Sequence, residues 1–197
     1  MPGTTRDPWV DVRTLHGYAA DQVISALQKE IRRGHTENAV LLAYEMVRTS
    51  PALEDYLWQR LLVIAVEDIG FGESQAPLLL HALYQTVQTI ERSVGERALF
   101  AVHAVRYLCG CPKDRASDEM LNWVMRAVES GQVRAQIPDY ALDMHTAEGR
   151  ARGRGIRHFL TEGTQLAPED SQRDVTYRQR LMLLLDQDEQ NEPQQDT

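Results

Sequence analysis

Apolar positions along this chain recur every three to four residues, the spacing that gathers side chains on one face of an α-helix. The first such segment covers residues 20–33, where an apolar stripe runs from Val23 to Ile31 and Gly34 is expected to end the helix. The same pattern predicts further helices over residues 36–47, 51–70, 76–93, 96–109, 117–130 and 176–187. No segment alternates β-branched or aromatic residues with polar ones, so the predicted fold is a compact all-α, multi-helix domain.

The helical period disappears between residues 131 and 155. A segment of this length without elements is usually functional or disordered, but Ile137, Pro138 and Tyr140 are apolar enough to dock on a helical body. We therefore expect a long ordered loop near residues 131–155. The predicted organisation is an extended lead-in over residues 1–18, a single helical domain over 19–187, and a disordered tail over 188–197, which is rich in acids and glutamine.

The helix predicted over residues 51–70 ends in two acids that break a local rule. Its centre is apolar on every face and is expected to be buried, and Glu67 and Asp68 then follow at the C-terminal end. Acids are disfavoured there by the helix dipole, so fixed cationic partners are expected. We predict structural ion pairs between these acids and Lys29 and Arg32, at the end of the first helix. Catalysis by the two carboxylates is the alternative.

Several segments occur in an order that is typical of a known family. They are residues 24–29, residues 60–70, Cys111-Pro112-Lys113, and Ile137-Pro138 followed by a stretch rich in glycine and arginine. Over residues 17–158 the chain resembles the C-terminal region of the replication-associated recombination protein A family, the bacterial relatives of the Werner helicase-interacting protein. Residues 66–70 are the most specific part. The resemblance implies a helical region that follows an AAA+ ATPase module, is similar to a clamp-loader collar, and forms tetramers.

One departure from that family determines the expected function. The phosphate-binding pattern G-x-x-x-x-G-K-[ST] occurs nowhere in the 197 residues, so ATP hydrolysis is not expected. We also expect neither another enzymatic activity nor a cofactor. The resemblance then implies a non-catalytic oligomerisation or binding module associated with DNA replication, recombination or repair, which could partner a separate AAA+ ATPase. We expect a homo-oligomer, a dimer or a tetramer, formed through apolar surface on the fourth, fifth and last predicted helices.

A basic cluster is the best candidate for a ligand site. The net charge of −8 argues against a surface that coats nucleic acid, but a local patch is compatible with it. The cluster has interleaved glycines and consists of Arg150, Arg152, Arg154, Arg157 and His158. Guanidinium forks and exposed backbone amides bind phosphates, which predicts an anion or nucleic-acid site with single-stranded DNA as a candidate ligand. The alternative is a solvated loop whose arginines pair with acids.

Two other kinds of site are weaker candidates. A small metal-dependent enzyme using residues 139–158 is the alternative function, because Asp139, Asp143 and His145 could join His81 and His103 around a metal. No metal-ligand spacing occurs, so no metal site is expected. Cys109 and Cys111 are the only cysteines and are expected to be buried free thiols.

The termini and apolar runs indicate the compartment. No secretory signal precedes the first helix, and no apolar run is long enough to span a bilayer, so a cytoplasmic protein without membrane contact is expected. A structural protein-interaction module unrelated to DNA remains the third functional alternative.

Overall fold

The structure, a computed structural model, describes residues 7–191, apart from the side chains of residues 189 and 191. Over this range the backbone forms nine α-helices and no sheet, and one isolated bridge joins Arg13 to Ala19. The helices are α1 Ala20–Arg33, α2 Thr36–Thr49, α3 Pro51–Ile64, α4 Ala76–Gln88, α5 Glu96–Gly110, α6 Ala116–Glu129, α7 Ala147–Ala151, α8 Ile156–His158 and α9 Thr176–Asn191. The prediction of an all-α fold is confirmed.

The chain divides into two compact units, Met1–Gln132 and Val133–Thr197. The first unit holds α1 to α6, and the second holds α7 to α9. The single domain expected over residues 19–187 therefore stays a prediction. No helix among residues 7–191 is long and apolar enough to cross a membrane.

The core of the first unit forms where α2 packs against α1, α3 and α5. Each of these helices contributes fully buried apolar side chains, among them Leu27, Ile31, Met46, Leu57, Trp58, Leu61 and Leu108. Trp58 also lies against the ring of Tyr84 from α4, with 5.9 Å between ring centroids. Burial of side chains of this size stabilises the fold by about 1.5–3 kcal/mol each.

Some helix ends in the first unit lie where stop and cap residues in the sequence indicate. Gly34 adopts the left-handed conformation, φ 73°, and ends α1 as predicted. The Leu53 N–H donates to Ser50 Oγ at 3.2 Å, so Ser50 caps α3. Helix α6 begins at Ala116, one residue before the predicted start, and the Ala116 N–H donates to Asp114 Oδ1 at 2.9 Å.

The helix predicted over residues 51–70 is not continuous. Regular α-helix ends at Ile64, a π-helical turn covers Ala65–Ile69, and a 3-10 turn covers Gly70–Glu73. A π turn accommodates one extra residue per turn, so the side chains that follow it rotate to new directions. The acids Glu67 and Asp68 lie within this turn rather than at the end of an ordinary helix.

Both predicted terminal segments differ from the structure. Turns at residues 8–11 and 15–16 lie on either side of the bridged Arg13, so residues 8–17 do not form one extended lead-in. The Asp7 side chain accepts the Trp9 N–H, and the Thr14 N–H donates to the Tyr18 carbonyl. Residues 1–6 lie outside the described residues. At the other end α9 continues to Asn191, so a disordered tail from residue 188 is wrong for residues 188–191. Of these four residues, Glu189 and Gln190 have good helix propensity. Residues 192–197 are not among the described ones.

The second unit consists of short elements. The segment predicted as a long loop contains a 3-10 turn, Asp139–Ala141, and the five residues of α7. Helix α8 passes directly into a second π-helical turn, Phe159–Gly163. Helix α9 carries exposed Leu183 and Leu184.

Candidate functional site

The carboxylate of Asp68 is the centre of a charged cluster in the first unit. It is fully buried. Arg32 Nε from α1 lies 2.5 Å from Asp68 Oδ1, and Arg115 Nη1, just before α6, lies 2.6 Å from the same oxygen. Gln28 Nε2 donates to Asp68 Oδ2 at 2.9 Å. A buried carboxylate that accepts three hydrogen bonds, two of them from guanidinium groups, is strongly held in its ionised form.

Glu67 forms the outer part of the same cluster. Its carboxylate lies 3.4 Å from Arg32 Nη2, 3.4 Å from Arg115 Nη1 and 3.8 Å from Arg60 Nη2. Gln28 Nε2 donates to it at 2.8 Å. Because the Glu67 side chain is itself a quarter exposed and lies farther from these guanidinium groups than Asp68 does, Glu67 contributes less to the cluster.

Lys29, the fourth residue predicted for the cluster, lies outside it. Its Nζ contacts Ser25 Oγ, one turn earlier on α1. The sequence interpretation missed Gln28, Arg60 and Arg115, which the fold brings to the two acids from α1, α3 and the segment before α6. Nothing in the sequence pattern indicated Arg115, because a loop arginine carries no periodicity.

Electrostatics fix the protonation state of Asp68. Burial on its own would raise the pKa of this carboxyl, but the hydrogen bonds from Arg32, Gln28 and Arg115 outweigh burial and hold the pKa below its ordinary value. A carboxylate with a lowered pKa and all its near neighbours engaged is a poor general base. The cluster therefore suits the joining of helices better than proton transfer.

Two glycines allow this cluster to close. A Cβ added to Gly70, whose φ is 52°, would lie 2.4 Å from the Asp114 carbonyl oxygen, and one added to Gly72 would lie 2.5 Å from the Pro112 carbonyl oxygen. The Asp114 N–H donates to the Asp68 carbonyl at 3.1 Å. The backbone of residues 70–72 thus lies directly on residues 112–114, and this contact brings Arg115 to Asp68.

The arginine cluster predicted as an anion site lies in the second unit, where acids and carbonyls already contact it. Asp139 receives Arg152 Nη1 at 2.6 Å and Arg154 Nη2 at 2.5 Å. Arg154 also donates to the Leu142 carbonyl at 3.0 Å, and Arg157 Nη2 contacts Asp186 at 2.7 Å. The hydrogen bond from Arg154 is the main reason why the pKa of Asp139 is lowered.

Arg150 and His158 differ from the other members of the predicted site. Arg150 is exposed, and the contact shown for it is a 3.1 Å hydrogen bond to the Met144 carbonyl, so no acid neutralises its charge within the described residues. His158 Nδ1 is buried and has no hydrogen-bond partner in the described part of the chain. The anion site at these five residues stays a prediction. Among them, Arg150 has the charge that is most available to a ligand.

The glycines in this segment do not all leave room for a phosphate. Gly149 is buried, and a Cβ there would lie 1.9 Å from the Asp143 carbonyl oxygen. Its N–H donates to Thr146 Oγ1 at 2.9 Å, so the Thr146 side chain caps α7. The Asp143 carboxylate in turn accepts the His145 N–H at 2.9 Å, which lowers the pKa of Asp143. Gly149 serves this tight turn, and its amide is engaged.

The groups considered for a metal do not converge. Asp139, Asp143 and His145 belong to the second unit, whereas His81 and His103 belong to the first. Across residues 7–191 no three His, Cys, Asp or Glu side chains lie close enough to hold a metal ion. Cys109 and Cys111 are free thiols whose pKa values burial raises, and this makes them weak nucleophiles at neutral pH.

An unexpected apolar surface lies on α6. Along this helix Ala127 alone of the described residues is buried, and its large apolar side chains remain 38–66% exposed: Met120, Leu121, Trp123, Val124, Met125 and Val128. Beside them a groove of about 490 Å³ is lined by Leu62, Val63 and Val66 on one side and Leu121 on the other. The sequence interpretation placed exposed apolar surface on other helices and missed the surface on α6. The signal was present, because α6 has more apolar residues than one buried helix face requires.

Residues 7–191 form an all-α module with a buried charge cluster, and the pattern G-x-x-x-x-G-K-[ST] does not occur in the sequence. Residues 34–172 match the family described as MgsA AAA+ ATPase C terminal, and the chain belongs to that family. The match begins just after α1, includes Asp68, Arg115 and the arginine segment, and ends before α9. Gln28 and Arg32 of the charged cluster lie before it.

Individual relatives agree with this assignment. The chain is 36% identical over 143 residues to replication-associated recombination protein A of Bacillus subtilis, covering 71% of this chain and 32% of that protein. It is 30% identical over 163 residues to an AAA domain-containing protein of Mycobacterium tuberculosis, covering 79% and 35%. For replication-associated recombination protein A of Escherichia coli K12 the identity is 31% over 124 residues, covering 62% and 26%. The resemblance found in the sequence is confirmed, and the chain spans about a third or less of the length of these relatives.

Proposed function

We propose that this chain is a non-catalytic assembly module that acts in DNA replication, recombination or repair, and that an AAA+ ATPase on another polypeptide works with it. Family membership supports the association with replication and recombination. The absence of the G-x-x-x-x-G-K-[ST] pattern from residues 1–197 supports a role without ATP hydrolysis. In this proposal the module contributes contacts between protein chains.

The apolar surface of α6 is the observation that carries the proposal. Monomeric proteins rarely expose contiguous apolar patches of this kind, and larger ones mark interaction sites. Six large apolar side chains on one 14-residue helix lie next to an apolar groove formed by Leu62, Val63 and Val66, so one copy offers both an apolar ridge and an apolar groove. A second copy related by two-fold symmetry would present the same pair of surfaces, as a closed homodimer requires.

Light scattering after size exclusion tests the assembly directly. We expect the unchanged chain to have the mass of a dimer or a tetramer, and Leu121→Glu or Trp123→Glu to shift the mass toward that of a single chain. Leu99→Glu is the matched control, since Leu99 is similarly exposed but belongs to another helix, α5. A single-chain mass for the unchanged protein at tens of micromolar, or loss of assembly in Leu99→Glu alone, would contradict the proposed surface.

Single-stranded DNA is the ligand that we propose for the arginine segment of the second unit. The support is chemical: Arg150 is exposed without an acidic partner among the described residues, and four arginines lie within eight positions. Phosphate contacts of this kind supply most non-specific affinity for nucleic acid. The salt dependence described in the Discussion tests this part separately from the assembly.

A further inference from the structure

Phe71, in the 3-10 turn before α4, has the most exposed large apolar side chain among the described residues, at 82% exposure. Its backbone is held in place. The Phe71 N–H donates to Asp114 Oδ2 at 3.3 Å, and the neighbouring Gly70 and Gly72 lie so close to residues 112–114 that neither has room for a Cβ. Aromatic side chains lose little conformational freedom on binding and are enriched in protein interfaces. Phe71 is thus suited to anchor a protein contact.

The exposed side of α4 continues from this anchor and contains no Asp, Glu, Lys or Arg. The helix is buried through Ala76, Leu80 and Val87, and its exposed positions recur three or four residues apart, which places them on one face. We call this surface the α4 face; it consists of Phe71, Ser74, Gln75, Leu78, Ala82, Gln85, Thr86 and Thr89, with His81 and Gln88 at its edge. From residue 71 to residue 90 the one residue of these four charged types is Glu73, which is partly buried.

The lack of charge distinguishes the α4 face from ordinary protein surface. Soluble surfaces carry Asp, Glu, Lys or Arg at about 25–35% of positions, and depletion of these residues is typical of the centre of an interface. The hydroxyls of Thr86 and Thr89 donate to the carbonyls of Ala82, at 2.9 Å, and Thr86, at 2.8 Å, so they need no further partner. The side-chain amides of Gln75 and Gln85 form no hydrogen bond within residues 7–191 and are free to bind one.

The charge of the chain indicates which partner fits this face. With a net charge of −8, two copies repel each other, and they meet at lowest cost through surfaces that contain no acids. In a two-fold contact the same face meets itself, so a charge near its centre would oppose its own copy. Nucleic acid binds through cations, which the α4 face lacks. A face without either sign of charge therefore favours a second copy of this chain over nucleic acid or a strongly charged protein.

We propose that a second copy of this chain docks on the α4 face, with the two α4 helices antiparallel and the two-fold axis beside the turn between Leu78 and Ala82. In this register the large Leu78 packs against the small Ala82 of the partner subunit. Gln75 meets Gln85 of the partner subunit, where the two amides can bond to each other, and Phe71 covers Thr89 of the partner subunit. Each of these contacts occurs twice, as two-fold symmetry requires.

This proposal rests on the proposed assembly function and adds a second surface to that of α6. Two different two-fold contacts on one chain join four copies into a closed assembly. The α4 and α6 contacts should therefore produce a tetramer together, and each contact alone should produce a dimer.

Light scattering after size exclusion of the full chain tests the α4 contact. We expect the mass of a tetramer for the unchanged chain. Leu78→Glu should give a dimer held by α6, Leu121→Glu a dimer held by α4, and the double variant a single chain. Leu41→Glu on α2 is the matched control and should leave the mass unchanged, since Leu41 is 60% exposed and Leu78 66%. These leucines are exposed, so the substitutions leave the buried core intact.

A charge pair tests the antiparallel register. Gln85→Glu should weaken the α4 contact by about tenfold, because it brings a carboxylate into an uncharged interface. Adding Gln75→Lys to the same chain should restore the contact, because each new lysine would lie beside the new glutamate of the other copy. A double variant that associates as weakly as Gln85→Glu would overturn the proposed arrangement.

The result for Leu78→Glu decides between occupants of the α4 face. A mass that equals that of the unchanged chain would overturn the proposal and assign this face to a different partner. Failure of the proposed function has another signature, since it would leave the mass unchanged in Leu121→Glu. The two failures are therefore distinguishable in one series of variants.

Discussion

Arg115 Nη1 lies 2.6 Å from Asp68 Oδ1, although 47 positions separate the two residues. Asp68 lies in the π-helical turn after α3, and Arg115 lies directly before α6, so the pair connects two helices that are distant in sequence. Arg32 brings the end of α1 to the same oxygen. One buried carboxylate thereby fixes three segments of the first unit, and this explains why two acids follow an apolar helix.

Asp68→Asn should destabilise the first unit. The amide cannot accept both guanidinium hydrogen bonds at full strength, and it leaves two cations facing a neutral group. Breaking a buried ion pair costs about 3–5 kcal/mol, and we expect about 3 kcal/mol because Arg32 and Arg115 retain some contact with water. Denaturant unfolding measures the change. Glu67→Gln, one residue earlier and a quarter exposed, is the control and should cost less than half as much. Equal losses in the two variants would contradict the central role of Asp68.

The contribution of Asp68 to the free energy of unfolding should decrease toward low pH. Its pKa is lowered in the folded chain, whereas the unfolded chain has the ordinary value of about 3.9. A lowered folded pKa gives stability that is fully present above the unfolded pKa and is lost as the pH falls through the folded one. The difference in unfolding free energy between the unchanged chain and Asp68→Asn should be constant above about pH 5 and shrink below about pH 4. Urea titrations from pH 3 to 8 measure it, and a difference that grows toward low pH would contradict the assignment.

Gly70→Ala should disrupt the contact between residues 70–72 and 112–114. The new Cβ would lie 2.4 Å from the Asp114 carbonyl oxygen, at a φ of 52° that side chains rarely adopt. Backbone strain and overpacking each cost about 1–3 kcal/mol, so we expect a loss of about 3 kcal/mol or more in unfolding free energy. Gly110→Ala is the matched control, because a Cβ there meets nothing within 4 Å and lies in α5. Thermal melting should show no loss for Gly110→Ala, and similar melting temperatures for both variants would refute the steric argument.

The helices could be predicted from the sequence because their stripes, glycine stops and the Ser50 cap are local signals. Gly34 ends α1 where its position in the pattern indicates. The π-helical turn after Ile64 could not be predicted in the same way. Where a segment is apolar on every face, no polar positions mark the helical period. The extra residue per turn of a π-helix therefore leaves no trace in the sequence pattern.

The charged cluster shows where local reasoning stops. The position of Glu67 and Asp68 against the helix dipole indicated that they need partners, and Arg32 lies beside both. The choice of Lys29 rested on its place in the same helix turn, yet its side chain contacts Ser25. Arg115 comes to the acids through long-range packing, and periodicity carries no information about which distant loop meets a helix end. Periodicity is equally silent about the partners of Arg97 on α5. This side chain is buried and donates to Glu54 of α3 and to the Val87 carbonyl of α4.

Binding of single-stranded DNA by the arginine segment should fall steeply with added salt. Each phosphate contact contributes about −0.7 to the slope of log K against log salt concentration for single strands. Replacing Arg150, Arg152, Arg154 and Arg157 by alanine should therefore flatten the slope by up to about 3, whereas Arg150→Ala alone should flatten it by about 0.7. Arg180→Ala is the control, since this exposed arginine lies over the Tyr177 ring, outside the segment. Fluorescence anisotropy at several salt concentrations measures the slopes. An unchanged affinity and slope after all four replacements would remove DNA from the function proposed for this segment and leave its arginines as partners of Asp139, Glu148 and Asp186.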